Sequence, residues 1–140
     1  MLSLDTNVVI AFLRGRPAGV SIRLGAAIER GDDLAISSLV LFELYYGAAR
    51  SARPAENVER ILTFLSGPIA VWPFEGEDAD EAGRLRATLE STGRQIGPYD
   101  LLIAAQTRRR GGTIVTANTR EFARIAGLKR LDWTARLPTV

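Results

Sequence analysis

Three acidic side chains stand among apolar neighbours, which is unusual for carboxylates on a protein surface. Asp5 follows the short apolar segment Leu2–Leu4. Glu43 lies inside the run Leu39–Tyr46, and Asp100 directly precedes another apolar run. A buried carboxylate without a partner is costly, so such groups are neutralised, pair with a cation or bind a metal ion. The three acids are therefore candidates for a shared cation site.

Each of these acids also has a structural explanation. Asp is a favoured N-cap residue, so Asp5 could simply begin a helix. Glu43 could pair with an arginine, and Asp100 could stabilise the first turn of its helix through the helix dipole. A fourth polar residue, Asn118, follows a later apolar segment, and its spacing to Glu121 resembles a capping box. Taken singly, each residue is better explained by structure than by catalysis.

The residue types present in the sequence limit the kinds of catalysis that the chain can perform. The chain has no His and no Cys, which excludes Ser-His-Asp and Cys-His catalysis and any zinc site built on those residues. A hard cation on oxygen ligands remains, meaning magnesium, manganese or calcium. Such a cation keeps clustered carboxylates ionised, lowers the pKa of a bound water and offsets charge on a phosphodiester. Metal-assisted phosphodiester hydrolysis is thus the nucleophilic chemistry that these residues support best, and the net charge of +2 is weak evidence for a polyanionic partner.

Short apolar segments alternate with helical patterns along the 140 residues, a length typical of one domain. We predict strands at Leu2–Leu4, Leu34–Ile36, Ile69–Trp72, Thr113–Val115 and Arg130–Trp133. We predict helices at Thr6–Arg14, Val20–Arg30, Leu39–Arg50, Pro54–Ser66, Glu77–Thr92, Tyr99–Arg109 and Thr119–Ala126. This alternation indicates an α/β fold, with a parallel sheet covered by helices on both faces.

The predicted sheet brings the candidate residues together. Asp5 and Asn118 follow strands, and Glu43 lies about two helical turns beyond one. Asp100 opens the helix that leads to another strand. Because ligands collect at the carboxyl ends of parallel strands, we expect these four side chains to share one edge of the sheet.

These motifs resemble those of the PIN-domain ribonucleases, and in particular the VapC toxins of bacterial toxin–antitoxin pairs. The stretches that carry the resemblance are Leu4–Asn7, Ser37–Gly47, Gly97–Ala105, Thr116–Phe122 and Arg124–Trp133. It covers essentially the whole chain and implies a single PIN domain over residues 1–140, a PIN-like (Rossmann-like) α/β/α sandwich with a mostly parallel five-stranded sheet. It also implies a Mg²⁺- or Mn²⁺-dependent endoribonuclease that acts on structured RNA, often tRNA or ribosomal RNA.

The resemblance assigns roles to the candidate acids. Asp5 and Asp100 match the metal-binding acids of the family, and Glu43 matches its third acid. Many members carry a fourth acid where this chain has Asn118. Asn118 therefore completes the candidate catalytic set without adding charge, which puts a second tightly held metal in doubt.

The resemblance also implies supporting residues and partners. Thr6 and Thr116 match positions that support the acids or touch the phosphate. The implied partners are a second copy of the chain and a VapB antitoxin, whose C-terminal segment lies across the active-site groove. An antitoxin arginine placed among the acids would substitute for the cation. Six apolar residues could line that groove, although we expect most of them to be core: Val8, Val9, Phe12, Leu13, Leu44 and Tyr45.

Two other functions fit the same pattern. One is a PIN-domain nuclease of RNA processing. The other is a non-enzymatic Mg²⁺-binding α/β interaction module of the response-regulator kind, which would require a lysine at a late strand end, whereas Lys129 is the only lysine here. No apolar run reaches the ~18 residues that span a bilayer, and no signal-peptide pattern is present, so we expect a cytoplasmic protein without membrane contact.

Overall fold

A five-stranded sheet organises the molecule. The computed structural model describes residues 1–136, in which the strands are β1 (Leu2–Leu4), β2 (Leu34–Ser37), β3 (Ile69–Trp72), β4 (Thr113–Val115) and β5 (Lys129–Leu131). Their order across the sheet is β3-β2-β1-β4-β5, and each of the four strand pairs is parallel. The prediction of a mostly parallel sheet is therefore confirmed, and within the described part of the chain the sheet is entirely parallel.

Seven helices connect and cover the strands of residues 1–136. They are α1 (Thr6–Arg14), α2 (Ala18–Glu29), α3 (Ser38–Ala49), α4 (Pro54–Leu65), α5 (Gly76–Ser91), α6 (Pro98–Arg109) and α7 (Thr119–Phe122). Their ends follow local chemistry. Asp5 caps α1, and Gly15 ends it in the left-handed region at φ 74°. Proline occupies the first helical position of α4 and α6, where its missing N–H has no helical partner to lose.

The register of the central strands sets the geometry of the carboxyl edge. Leu4 of β1 stands opposite Val115 of β4, so Asp5 and Thr116 leave the sheet side by side. The backbone N–H of Asp5 still donates to the carbonyl of Val115, at 2.9 Å. All four residues of β2 are buried, and the residues of the edge strand β5 are exposed. The carboxyl ends of β1, β2 and β4 therefore lie next to the buried core, at the centre of the domain.

The C-terminal part differs from the sequence prediction. Helix α7 ends at Phe122 instead of Ala126, because the chain turns before Gly127 at φ 77°. Strand β5 is Lys129–Leu131, so Trp133 is buried outside the sheet. The guanidinium of Arg23 donates to the carbonyls of Asp132, Trp133 and Ala135, which directs this segment towards α2. Residues 137–140 of the predicted domain lie outside the described residues. Among residues 1–136, no helix is long and apolar enough to cross a membrane.

Candidate active site

Asp5 lies at the centre of the carboxyl edge and is 3% exposed. Its Oδ1 accepts from the backbone N–H of Thr6 at 2.9 Å, and its Oδ2 accepts from the hydroxyl of Thr116 at 2.8 Å. Burial raises the pKa of Asp5, and the charges of Glu43 and Glu121 raise it further, against the lowering effect of its two hydrogen bonds. The side chain of Asp5 therefore caps α1 and also belongs to the group of carboxylates at this edge.

Asp100 faces the same edge from the first turn of α6. Burial raises the pKa of Asp100 to about 7, and the charges of Asp5, Glu121 and Glu43 contribute to the increase. A carboxyl group that only stabilised the helix dipole would have a lowered pKa. Burial, together with repulsion from the neighbouring acids, therefore outweighs the helix dipole at this position.

Glu43 completes the predicted trio through a contact with α1. The hydroxyl of Thr6 donates to Glu43 Oε1 at 2.8 Å, so the residue after Asp5 holds the carboxylate that α3 contributes. Glu43 is partly exposed, although apolar residues flank it in sequence. The structure brings the predicted residues Asp5, Glu43, Asp100, Thr6 and Thr116 together at one edge.

Glu121 is the acid that sequence reasoning did not select. The capping-box interpretation made Glu121 the capping partner of Asn118, but the Asn118 side chain makes no cap hydrogen bond to α7. Its amide instead donates to Glu121 Oε2, while Glu121 Oε1 accepts from the Gly97 N–H at 2.7 Å. The charge of Glu121 acts on both Asp5 and Asp100. The available signal was an acid in the first turn of the helix that follows β4, at the same sheet edge as Asp5.

In the described part of the chain, the four acids have no arginine partner. Within residues 1–136, no ion pair involves Asp5, Glu43, Asp100 or Glu121. The alternative of an arginine partner for Glu43 is therefore wrong for the part of the chain that the structure describes. Four carboxylates without a cation, two of them with raised pKa, form a site of negative potential that a divalent cation would relieve.

The donor set fits Mg²⁺ or Mn²⁺ in chemistry. All candidate ligands are oxygens, as these hard cations prefer, and Mg²⁺ usually retains several waters while binding one or two carboxylates. Asp100 Oδ2 and Glu121 Oε1 lie 3.6 and 3.8 Å from the position that a Cβ on Gly97 would occupy, so the two carboxylates converge on this glycine. As positioned in residues 1–136, no three acids already surround a single point closely enough to ligate one ion.

The apolar residues beside the site are mainly core, as expected. Val8, Val9 and Leu44 are buried. Phe12, Leu13 and Tyr45 are partly buried and pack against the core.

The comparisons with known proteins agree with this architecture. Residues 2–128 match the family model described as PIN domain, and the chain belongs to the PIN-domain family. It is 42% identical over 131 residues to the tRNA(fMet)-specific endonuclease VapC of Shigella flexneri, across 94% of this chain and 96% of that relative. The protein of the same name from Salmonella typhimurium is 37% identical across 93% of this chain and 96% of its own length. Within the family the chain groups with the VapC ribonucleases, so its class of enzyme is a nuclease.

Solved structures give the same result. The VapBC2 complex of Rickettsia felis bound to a promoter DNA fragment superposes with a TM-score of 0.88 at 33% identity, covering 94% of this chain and 98% of that chain. The DNA-bound VapBC complex of Salmonella typhimurium gives a TM-score of 0.86 at 36% identity, covering 94% and 97%. The predicted fold class and family are confirmed.

Proposed function

We propose that the chain is the toxin of a VapBC-type pair, an Mg²⁺-dependent endoribonuclease that cleaves tRNA. The observation that carries the proposal is a set of four carboxylates at the carboxyl edge that form no ion pair within residues 1–136: Asp5, Glu43, Asp100 and Glu121. The two VapC relatives compared above are named as tRNA(fMet)-specific endonucleases, which favours an initiator tRNA over ribosomal RNA as the substrate. Mn²⁺ would substitute for Mg²⁺ because both bind oxygen ligands.

Asp5 and Asp100 are the first candidates to hold the cation, with Glu43 and Glu121 beside them. When bound, a divalent cation lowers the pKa of a coordinated water and offsets charge on the phosphodiester. Asp100 would release its proton as the cation binds, since its pKa of about 7 leaves it partly protonated at neutral pH. The hydroxyl groups of Thr116 and Thr6 hold two of the acids in position.

The non-enzymatic alternative of a response-regulator-like module is disfavoured by the position of Lys129. That module would require a lysine at the carboxyl end of a late strand. Lys129 is the first residue of β5 and pairs with Thr113 at the start of β4. Lys129 therefore lies at the amino ends of the strands, whereas Asp5 lies at their carboxyl ends. The acids are thus without the ammonium group that this module requires.

The partner that best fits is an antitoxin of the VapB kind. Solved relatives include VapBC complexes. A groove of about 270 Å³ between α1, α3 and α4 is lined by Glu43, by apolar residues that include Ile10 and Leu13, and by Arg14 and Arg60. An extended segment carrying an apolar side chain and an arginine would match this groove, with the arginine directed to the acids. We also expect a homodimer, as the family resemblance implies.

The test is RNA cleavage by the purified chain. Wild type and Asp5→Asn are incubated with initiator tRNA, elongator tRNA and a ribosomal RNA fragment, with Mg²⁺ or with EDTA, and new 5′ ends are sequenced. We expect one dominant, Mg²⁺-dependent cut in initiator tRNA that Asp5→Asn does not produce. Equal cleavage by Asp5→Asn, or equal cleavage in EDTA, would overturn the mechanism. A cut in ribosomal RNA alone would reject the proposed substrate.

A further inference from the structure

The side chain of Asn118 occupies a helix N-cap position but does not act as a cap. Asparagine at an N-cap normally accepts a hydrogen bond from a backbone N–H of the first turn. Here no such bond forms, and the amide donates to Glu121 Oε2 instead. A carboxylate is acceptor-only, so the amide nitrogen must be the atom that faces Glu121. The capping interaction has been replaced by a contact with an acid of the site.

Asn118 is the central member of a hydrogen-bonded chain across the site. Its backbone N–H donates to Thr116 Oγ1 at 2.9 Å, and the same hydroxyl donates to Asp5 Oδ2 at 2.8 Å. On the other side, Glu121 receives both the Asn118 amide and the backbone N–H of Gly97. One asparagine thus connects the acid at the end of β1 to the acid on α7.

The series of hydrogen bonds continues from Glu121 to the helix that carries Asp100, α6. Gly97 is the N-cap residue of that helix, and its carbonyl accepts from the Leu101 N–H at 2.9 Å. Asp100 lies within this first turn. Because Glu121 holds the Gly97 N–H, the position of its carboxylate fixes the start of α6 and with it the spacing between the acids of α6 and α7.

We propose that Asn118 is a positioning residue that acts through Glu121, and that it is not a substitute for a missing acidic ligand. The amide aims Glu121 at Gly97 and thereby sets the separation of Glu121 from Asp100. The inference rests on the proposed metal-dependent nuclease activity. It carries an unexpected consequence: an aspartate at position 118 would face Glu121 as a like charge and would weaken the site.

The two interpretations of Asn118 predict opposite effects of Asn118→Asp. If Asn118 stands where an acidic ligand is missing, the new carboxylate would tighten metal binding. If it positions Glu121, the substitution replaces a donor by a repelling acceptor and moves Glu121 away from Gly97. Residues that orient metal ligands typically change metal affinity by roughly 10- to 100-fold when they are mutated.

The experiment measures Mn²⁺ affinity by calorimetry on the full chain, beside tRNA cleavage and thermal unfolding. We expect Asn118→Ala and Asn118→Asp each to weaken Mn²⁺ binding about 10-fold, with Asn118→Asp at least as weak as Asn118→Ala. The unfolding midpoint of Asn118→Ala should stay close to that of wild type, because no cap bond is lost and the lost bond to Glu121 lies at a partly exposed position. Thr88→Ala and Thr88→Asp are matched controls, since Thr88 is exposed and its hydroxyl bonds only within α5.

The amide hydrogen exchange of Gly97 gives a direct readout of the positioning. We expect faster exchange in Asn118→Ala, because Glu121 no longer holds the Gly97 N–H. Tighter Mn²⁺ binding by Asn118→Asp, or unchanged affinity and unchanged Gly97 exchange in Asn118→Ala, would overturn the inference while the nuclease proposal stands. Failure of the wild type to bind Mn²⁺ or to cleave RNA would instead overturn the proposed function, and the inference with it.

Discussion

Two buried aspartates in this molecule have opposite electrostatic surroundings. Asp5, at the carboxyl edge, receives one backbone N–H and one hydroxyl and lies near other carboxylates, so its pKa is raised. Asp78, on α5, has no exposed surface and is bonded to Arg109 Nε at 2.6 Å. Burial acts to raise the pKa of Asp78, but hydrogen bonds from Arg109, the Glu75 N–H and Gln106 together hold it below its ordinary value.

The difference separates an acid that stabilises the fold from acids that are available for chemistry. Asp78 has its charge neutralised by Arg109, accepts hydrogen bonds from three donors and is fully buried, so it is not accessible to a ligand. Within residues 1–136, Asp5 and Asp100 have no basic side chain as an ion-pair partner. Ion-pair networks also perturb pKa values, so a shifted pKa alone identifies no function. The direction of the shift distinguishes the two regions when it is combined with the ion pairs of residues 1–136, which include Asp78 but neither Asp5 nor Asp100.

The largest expected effect is on catalysis, from Asp100→Asn. Removing the charge should lower kcat/KM for tRNA cleavage by more than roughly 1,000-fold, because the cation loses a ligand while the carboxamide keeps the shape. The metal-free protein should be at least as stable as wild type, since a repelled carboxylate has been removed. Steady-state cleavage and thermal unfolding in EDTA measure the two effects. Asp80→Asn, an exposed acid on α5, is the control, and normal cleavage by Asp100→Asn would refute the assignment.

The second largest expected effect is on stability, at the buried ion pair between Asp78 and Arg109. Arg109→Met would leave Asp78 buried without its cation, and breaking such a pair is strongly destabilising. We expect the unfolding midpoint to fall by roughly 8 °C, while cleavage per folded molecule is unchanged. Arg84→Met is the matched control, because its partners Asp80 and Glu81 are reached from an exposed position, and it should shift the midpoint by about 1 °C. Similar midpoints for the two variants would contradict the distinction.

The sequence allowed the sheet, most helices and three of the four acids to be predicted, because each depends on local pattern. Asp5 and Asp100 follow from apolar neighbours and strand ends. Glu121 and Asp78 could not be found in this way, since their roles depend on which distant residue meets them. Glu121 has a local capping explanation, which the missing Asn118 cap bond and the contact of Glu121 with Gly97 exclude. Arg109 lies in the last turn of α6, where a cation suits the helix dipole, and only the packing of α5 against α6 places Asp78 beside it.

The third prediction is a pH dependence that separates the two regions. Asp100 has a folded-state pKa of about 7, well above its ordinary value of 3.8. Its favourable contribution is therefore complete below about pH 4 and is lost as the pH rises through 7. Asp78 behaves in the opposite way, because a lowered pKa contributes stability that is lost only as the pH falls below its ordinary range. Between pH 5 and 8, only the acids of the site should change stability.

The measurement is thermal unfolding in EDTA at pH 5 and at pH 8. The midpoint should fall by a few degrees at pH 8, and Mg²⁺ should reduce that difference because it binds the ionised acids. Asp100→Asn should flatten the dependence. A midpoint that rises from pH 5 to pH 8 in EDTA would contradict the raised pKa of Asp100 and, with it, the combined effect of burial and repulsion.

The smallest expected effect concerns the hydrogen bond that joins α1 to α3 within the site. Thr6→Val keeps the shape of the side chain but removes the hydroxyl that donates to Glu43 Oε1 at 2.8 Å. Glu43 is partly exposed, so water can replace the lost donor, and the fold should be nearly as stable as wild type. The carboxylate would nevertheless be less well positioned, and we expect about a 10-fold fall in kcat/KM with a raised Mg²⁺ requirement. Thr6→Ser, which retains the donor, should restore most of the activity. Equal loss in Thr6→Val and Thr6→Ser would mean that the hydroxyl does not position Glu43.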